Sequence, residues 1–426
     1  MENYIERMKK EIHPALGCTE PSAIALAAAK SAEILKKPVE EIELKVSRNV
    51  LKNAMSVGIP GTKLVGIEIA AALGAVAGRF DYMLEVLRDI TSDDIEKAQK
   101  MLDERRIKVS LKKTEERLYI EAICKNGKDS ASTVIKHSHA DIHSICYNDY
   151  ILFNKETKKT NDFEQEKEEQ ALTASRIFRF IQQVDINELE FLNDTIEMNL
   201  QIAKEGLSNC YGMSVGKHLY NNIKKAGEVK DGFAYAAALT SAAVDARMAG
   251  SSLPVMATTG SGNQGLTASL PVIAVGEVMK KDREEILRAL ALSELITIHI
   301  KTYIGKLSAL CGCAIAASIG ASCGVVYLLG GAYCNIEYAV KNMIADISGL
   351  ICDGAKPGCA LKIATSVNSA MQCALLALDN VEVSGKDGIV TDSIEQSIKN
   401  LGKLGNQGMK ETDYIILDMM LQKNNI

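Results

Sequence analysis

The segments "IKVSLKK" (residues 107–113), "RLYIEAICK" (117–125) and "STVIKHSHADIHSICY" (132–147) decide the fold, because apolar and polar residues alternate in them while most of the chain runs at helical spacing. A period of two belongs to a strand with one buried face. Glu-rich and Asn-Gly turns separate the three, as in an antiparallel meander. "EIELKVSRNV" (41–50) alternates in the same way. A smaller α+β domain is therefore expected over residues 41–154.

On either side the pattern turns helical. "PSAIALAAAKSAEIL" (21–35) has Ala, Ile and Leu at helical spacing, with Thr19 placed to cap it and Glu20 and Pro21 suited to its first turn. "KNAMSVGIPGTK" (52–63) reads as a glycine loop, followed by two or three helices up to residue 102. The polar stretch "NKETKKTNDFEQEKEE" (154–169) reads as a linker running into a helix. Beyond it the chain is helical nearly to its end, with glycine-rich interruptions at 258–265, 320–324 and 354–358. The expected fold class is α+β: a mostly helical catalytic domain over 164–426, joined by an N-terminal helix within residues 1–40, beside the antiparallel-sheet domain.

In 426 residues, 47% hydrophobic and 24% charged is the balance of a soluble globular protein. A net charge of -5 without a basic patch gives no reason to expect nucleic acid as a partner. "MENYIERMKKEIHPALGC" lacks the apolar core of a secretory signal, so a cytoplasmic protein with reduced thiols is expected. Eleven cysteines then point to metal binding, catalysis or core packing rather than to disulfides. Residues 248–276 and 307–336 carry no charge and are long enough to span a membrane, yet they are rich in Gly, Ala, Ser and Thr and broken by Pro254 and Pro271. They read as close-packed buried helices, so no membrane partner is expected. Such segments often pair, and a homodimer is expected.

"ICDGAKPGCALK" (351–362) sets Cys352 and Cys359 across a Gly, Pro and Lys turn. Cys359 opens a helix, where the dipole and free amides stabilise a thiolate and suit it to a metal. A pair cannot close a site. The candidates for a third ligand are Cys311, Cys313 and Cys323 in "ALCGCAIAASIGASCG" (309–324), where Gly312 and Gly320 allow close backbone approach. The spacing is not that of common zinc sites, and plain core packing of these small residues stays open. In "HPALGCTEP" (13–21), Cys18 precedes a helix with His13 five residues away; both features could lower its pKa and make it a nucleophile, base or metal ligand, unless it is a capping loop.

"TTGSGNQG" (258–265) lacks the order of a phosphate loop and follows no convincing strand; it reads as an amide nest at a helix N-terminus, with Ser261, Gly262 and Asn263 suited to a carboxylate. Arg48, Lys52 and Asn53 lie ahead of the glycine loop. His137, His139 and His143 in "HSHADIH" match no common zinc spacing and read as surface imidazoles.

Taken in order, "HPALGCTEP", "VLKNAMSVGIPGT", "DARMAG", "TTGSGNQG", "GKLSALCGCAIAASIGA" and "CDGAKPGCALK" resemble the L-cysteine desulfidase family nearly end to end. The helical half is more distantly similar to iron-sulfur L-serine dehydratases. The resemblance implies a 4Fe-4S cluster in place of pyridoxal phosphate, held by Cys313, Cys352 and Cys359 with one iron open, and β-elimination of L-cysteine to sulfide, ammonia and pyruvate. It implies Cys18 as base or fourth ligand and Lys52 as the second candidate base, with the substrate carboxylate on the Ser261 to Asn263 amides or near Lys52 and Asn53. The alternatives are an L-serine dehydratase on the same scaffold and a non-catalytic iron-sulfur redox sensor. No phosphate cup for pyridoxal phosphate is visible.

Overall fold

The computed structural model describes residues 4–155, 172–225, 227, 231–305 and 308–424; most of the expected linker lies outside them. Helix α1 (Tyr4–Glu11) runs into a short strand, β1 (Ile12–Ala15), and after Gly17 and Cys18 comes α2 (Thr19–Leu35). Next follow β2 (Glu41–Val46), α3 (Arg48–Ala54), α4 (Ile67–Ala77) and α5 (Ser92–Asp103). The alternating segments are β3 (Ile107–Leu111), β4 (Tyr119–Asn126), β5 (Asp129–Lys136), β6 (Ile142–Tyr147) and β7 (Tyr150–Asn154).

These strands make one six-stranded sheet of order β3-β2-β4-β5-β6-β7. β4 to β7 form the expected meander, but β3 does not begin it. β2 takes its place beside β4, antiparallel, and pairs with β3 in parallel. Parallel neighbours need a crossover, and α3 to α5 supply it. The sheet is therefore mixed rather than purely antiparallel. Alternate residues Ile42, Leu44 and Val46, with Ile120, Ala122, Cys124, Ala131 and Ile135, face α2 and α4 and are buried with them.

Here the N-terminal expectation needs correcting. α1 and β1 pack into the helical body through Ile5, Met8 and Ile12, whereas the long helix α2 packs on the sheet and α4. Its alanine-rich surface explains the choice: α4 comes so close that a Cβ at Gly74 would stand 2.3 Å from the Ala25 carbonyl oxygen.

The helical body comprises α6 (Ala174–Gln183), α7 (Leu192–Ser208), α8 (Val215–Lys225), α9 (Gly232–Met248), strand β8 (Val255–Thr258), α10 (Gly262–Val278), α11 (Arg283–Ile304), α12 (Gly312–Leu328), α13 (Tyr333–Ile347), α14 (Cys359–Leu378) and α15 (Ile394–Lys403). β8 pairs antiparallel with β1. The uncharged stretches are the buried helices α10 and α12. Gly320 and Gly324 do not interrupt α12: they seat it on α11, where Cβ atoms would fall 2.4 Å from the Ser293 carbonyl oxygen and 2.9 Å from that of Ala289. Among the described residues one helix, Cys359–Leu378, is long and apolar enough to cross a membrane, and half of its apolar window is buried. The last helix, α16 (Thr412–Asn424), leaves the body and docks on the sheet domain, with Leu417 buried in that core.

Candidate active site

Eight pieces of chain meet at one partly open cavity of about 100 Å³. The start of α2 brings Cys18 and Glu20, α3 brings Lys52 and Asn53, and the β5–β6 loop brings His139. The β8–α10 turn brings Gly260, Ser261, Asn263 and Gln264, and α9 brings Arg247. The loops around 308–313 and 352–362 bring Cys311, Cys313, Cys352 and Cys359, beside Lys301. Of the residues expected at the site, Cys18, Lys52, Asn53, Ser261, Asn263, Cys313, Cys352 and Cys359 line it, whereas Gly262 and the further candidates Arg48, His13 and Cys323 do not. A Cβ on Gly262 would stand 2.3 Å from Arg247 Nε, so this glycine makes room for the guanidinium rather than touching a ligand.

The two cysteine loops are zipped together. Cys311 N–H donates to the Leu350 carbonyl at 2.9 Å and Cys352 N–H to that of Ala309 at 2.7 Å. Asp353 bonds Lys356 and Lys362, which pins the turn between Cys352 and Cys359. The Cys311 and Cys313 sulfurs are 3.5 Å apart. Cys323, the other candidate, is a fully buried core residue away from the cavity. Burial pushes the Cys352 thiol up and the Cys359 thiol to about 12; the Cys311 thiol is raised well above its ordinary value by its hydrogen bond with Cys313, then by burial. Gly312 serves the site, since a Cβ there would meet Gln264 Oε1 and Lys301 Nζ at 3.0 Å; Gly320 serves only helix packing.

Lys52 is 1% exposed, and its ammonium donates to Asp413 Oδ1 at 2.6 Å and to the Cys352 carbonyl at 3.0 Å. It therefore positions the cysteine loop and is not a free base. Asn53 donates to Glu20 Oε1 at 2.7 Å. Cys18 is also not the activated thiol that its place before a helix suggested. Burial and the Glu20 carboxylate push it well above the ordinary thiol range, and the thiol donates to Glu20 Oε2 at 3.2 Å. His13, the expected partner, sits in β1 opposite Ala257 and does not line the cavity.

Sequence reasoning passed over Glu20, His139, Arg247 and Lys301. Burial alone would raise the Glu20 carboxyl, but His139, Asn53 and Cys18 outweigh it and hold Glu20 well below the usual carboxylate range. His139, expected at the surface, is 7% exposed, with Nε2 3.7 Å from Glu20 Oε1 and Nδ1 beside Gly260. Arg247 donates to Asn263 Oδ1 at 2.9 Å and to the Gly17 carbonyl at 2.6 Å. Burial brings Lys301 down to about 8. The loop before α10 follows a strand after all, so β8, the turn and α10 form a strand–turn–helix unit whose first amides have no acceptor within the helix.

The fold is α+β, and its thiol-walled, charged cavity is lined by residues of both the sheet part and the helical part. Comparison with known proteins gives the family. The serine dehydratase alpha chain family matches residues 81–418. Relatives called UPF0597 proteins match along their whole length: one from Bacteroides thetaiotaomicron is 45% identical over 99% of this chain and 98% of its own. One from Clostridium tetani is 44% identical over the same shares. The chain belongs to the serine dehydratase alpha chain family, within the group of these UPF0597 proteins.

Proposed function

We propose that this chain is an iron-sulfur-dependent lyase that eliminates sulfide from L-cysteine, leaving aminoacrylate, which hydrolyses to pyruvate and ammonia. The observation that supports it most is the one cavity in which five thiols, those of Cys18, Cys311, Cys313, Cys352 and Cys359, share space with Glu20, His139 and Arg247. Among the described residues no three or more His, Cys, Asp or Glu side chains converge as a single-ion site requires. A 4Fe-4S cluster takes its thiolates at separate irons, and Cys313, Cys352 and Cys359, which all line the cavity, are the residues that would hold it, with Cys311 adjoining Cys313. When bound, such a cluster supplies a Lewis-acidic iron with an open position, suited to a soft thiolate.

The protein's own groups account for the rest. The first amides of α10 and the Arg247 charge hold the substrate carboxylate. Glu20 stays ionised and faces His139 Nε2 at 3.7 Å, where its charge favours a protonated imidazole; Nδ1, beside Gly260, is the nitrogen assigned to take the α-proton. The Lys301 ammonium offsets negative charge where sulfur leaves. This assignment replaces Cys18 and Lys52 as the base.

The family match favours a second reading, an L-serine dehydratase using the same groups. Release of sulfide and pyruvate by anaerobically reconstituted protein separates the two. Equal sulfide and pyruvate from L-cysteine, with little pyruvate from L-serine, is the expected result. Turnover of L-serine alone selects the dehydratase. Silence with both, cluster present, would sink the lyase reading.

A further inference from the structure

Two residues that line the catalytic cavity, Asn49 and Ser308, also line a much larger cleft of about 1050 Å³. Pieces of chain far apart in sequence wall this cleft: residues 111–117 leading from β3 toward β4, the start of α3, residues 308–309, and the turn from residue 405 into α16. The two spaces therefore meet at Asn49 and Ser308. Both are fixed there, since Asn49 Nδ2 donates to Asp413 Oδ2 at 3.3 Å and Ser308 Oγ accepts from the Leu310 N–H at 3.1 Å.

The cleft is basic on an acidic molecule. Five of its described lining residues are cationic and three are carboxylic, whereas the chain as a whole carries a net charge of -5. Of the three carboxylates, Asp413 is already paired with Lys52 at 2.6 Å, and Glu116 lies 3.5 Å from His137 Nδ1. Of the cations, Lys112 is shared with Glu121 at 3.4 Å, while Lys113 and Lys410 are exposed. Arg48 stacks its guanidinium 3.7 Å from the Tyr414 ring centroid, which holds that charge against the wall. The positive lining continues inward, because Arg247 and Lys301 line the cavity beyond Asn49 and Ser308. A cleft lined mainly by one sign of charge concentrates small ions of the opposite sign and raises their association rates, by about 10- to 1000-fold.

We propose that this cleft is the entrance to the catalytic cavity and that it gathers carboxylate-bearing small molecules, passing them by Asn49 and Ser308 to the first amides of α10. That the molecule is an amino acid rests on the reaction assigned above. The route does not, because it can be followed in metal-free protein without turnover.

The test compares two thiol reagents of similar size, the anion iodoacetate and the neutral iodoacetamide, on the full-length, reduced, metal-free protein. Peptide mass spectrometry reads both alkylation rates at Cys313 and Cys352, and their ratio cancels the reactivity of the thiol itself. Lys113→Glu with Lys410→Glu, two exposed changes, should lower the iodoacetate-to-iodoacetamide ratio at both cysteines by about tenfold at low ionic strength. The fall should shrink in about 1 M salt, which screens charges within about 3 Å. Lys224→Glu with Lys225→Glu makes the same charge change on α8, which lines neither space, and should leave the ratio alone. An unchanged ratio in the cleft variant, or an equal fall in the α8 variant, would overturn the route. In reconstituted enzyme given L-cysteine, the cleft variant should lose kcat/KM and keep kcat. An equal loss of both would overturn the gathering role, whereas a protein that releases no sulfide in either form would defeat the L-cysteine reading and leave the alkylation result standing.

Discussion

That Cys352 and Cys359 come to one place was legible because both lie in one short motif, while the spacing left Cys311, Cys313 and Cys323 open; the fold brings the first two of these to the cavity and leaves Cys323 in the core. Glu20, His139, Arg247 and Lys301 were not legible, because each is a single residue on a different element, and only folding brings them together. His139 illustrates this: its neighbours in "HSHADIH" look like a solvated run, yet the β5–β6 loop turns this one imidazole inward to Glu20. Distinct outcomes follow for residues that share one cavity. Cys352→Ala and Cys359→Ala each lose the visible absorbance of the reconstituted protein together with turnover. Cys18→Ser keeps the absorbance, because its thiol is already spent on Glu20. His139→Gln keeps it too, while kcat falls by about 10²- to 10⁴-fold, the usual contribution of a positioned acid–base group. Anaerobic absorbance and turnover on the same samples check all four. Bleaching by Cys18→Ser would make Cys18 a ligand, and near-normal turnover by His139→Gln would return the proton transfer to another group.

Helical periodicity revealed α11 but not the polar row it hides. Glu294 is fully buried in it, accepts a hydrogen bond from the Thr258 hydroxyl at 2.7 Å, and has Oε1 without a partner. Burial moves its carboxyl from 4.5 up to about 8. Between those values the folded state keeps a proton that the unfolded state has lost, so stability falls as pH rises, by up to about 1.4 kcal/mol per pH unit. Glu294→Gln removes that term. Chemical denaturation from pH 5 to pH 8 should show the variant gaining on the wild type as pH increases, whereas a constant difference would mean that Glu294 is ionised throughout. The helices around it show what composition conveys and what it leaves out. Lack of charge correctly marks α10 and α12 as buried, but Gly320 and Gly324 read as a break in sequence because glycine permits either a turn or a close approach. Here α11 lies against them, and only the partner's position decides between the two.

For the whole molecule, the α+β class was legible from the change of period, while the way segments far apart in sequence share a core was not. α2 joins the sheet, α1 and β1 join the helices, and α16 crosses back to bury Leu417 against the sheet domain. Such docking is set by which apolar surfaces remain uncovered, a property of the assembled fold rather than of any window of sequence. The crossing of α16 also bears on the site. Asp413, near its start, accepts from Asn49 at 3.3 Å and from Lys52 at 2.6 Å, and Lys52 also holds the carbonyl of Cys352. The C-terminal helix, the sheet domain and the cysteine loop are thus tied at one buried ammonium. Removing one partner of a buried pair strands the other charge, which typically costs about 3–5 kcal/mol, whereas replacing both with apolar groups of similar volume is often close to neutral. Asp413→Asn should therefore destabilise the metal-free protein by roughly 3 kcal/mol in chemical denaturation, and Lys52→Met with Asp413→Leu should recover most of that loss. The double variant should still reconstitute poorly, because the Cys352 carbonyl has lost its donor. A loss below about 1 kcal/mol for Asp413→Asn is what a solvated surface pair gives, and would show that α16 lies on the sheet domain without tying it to the site.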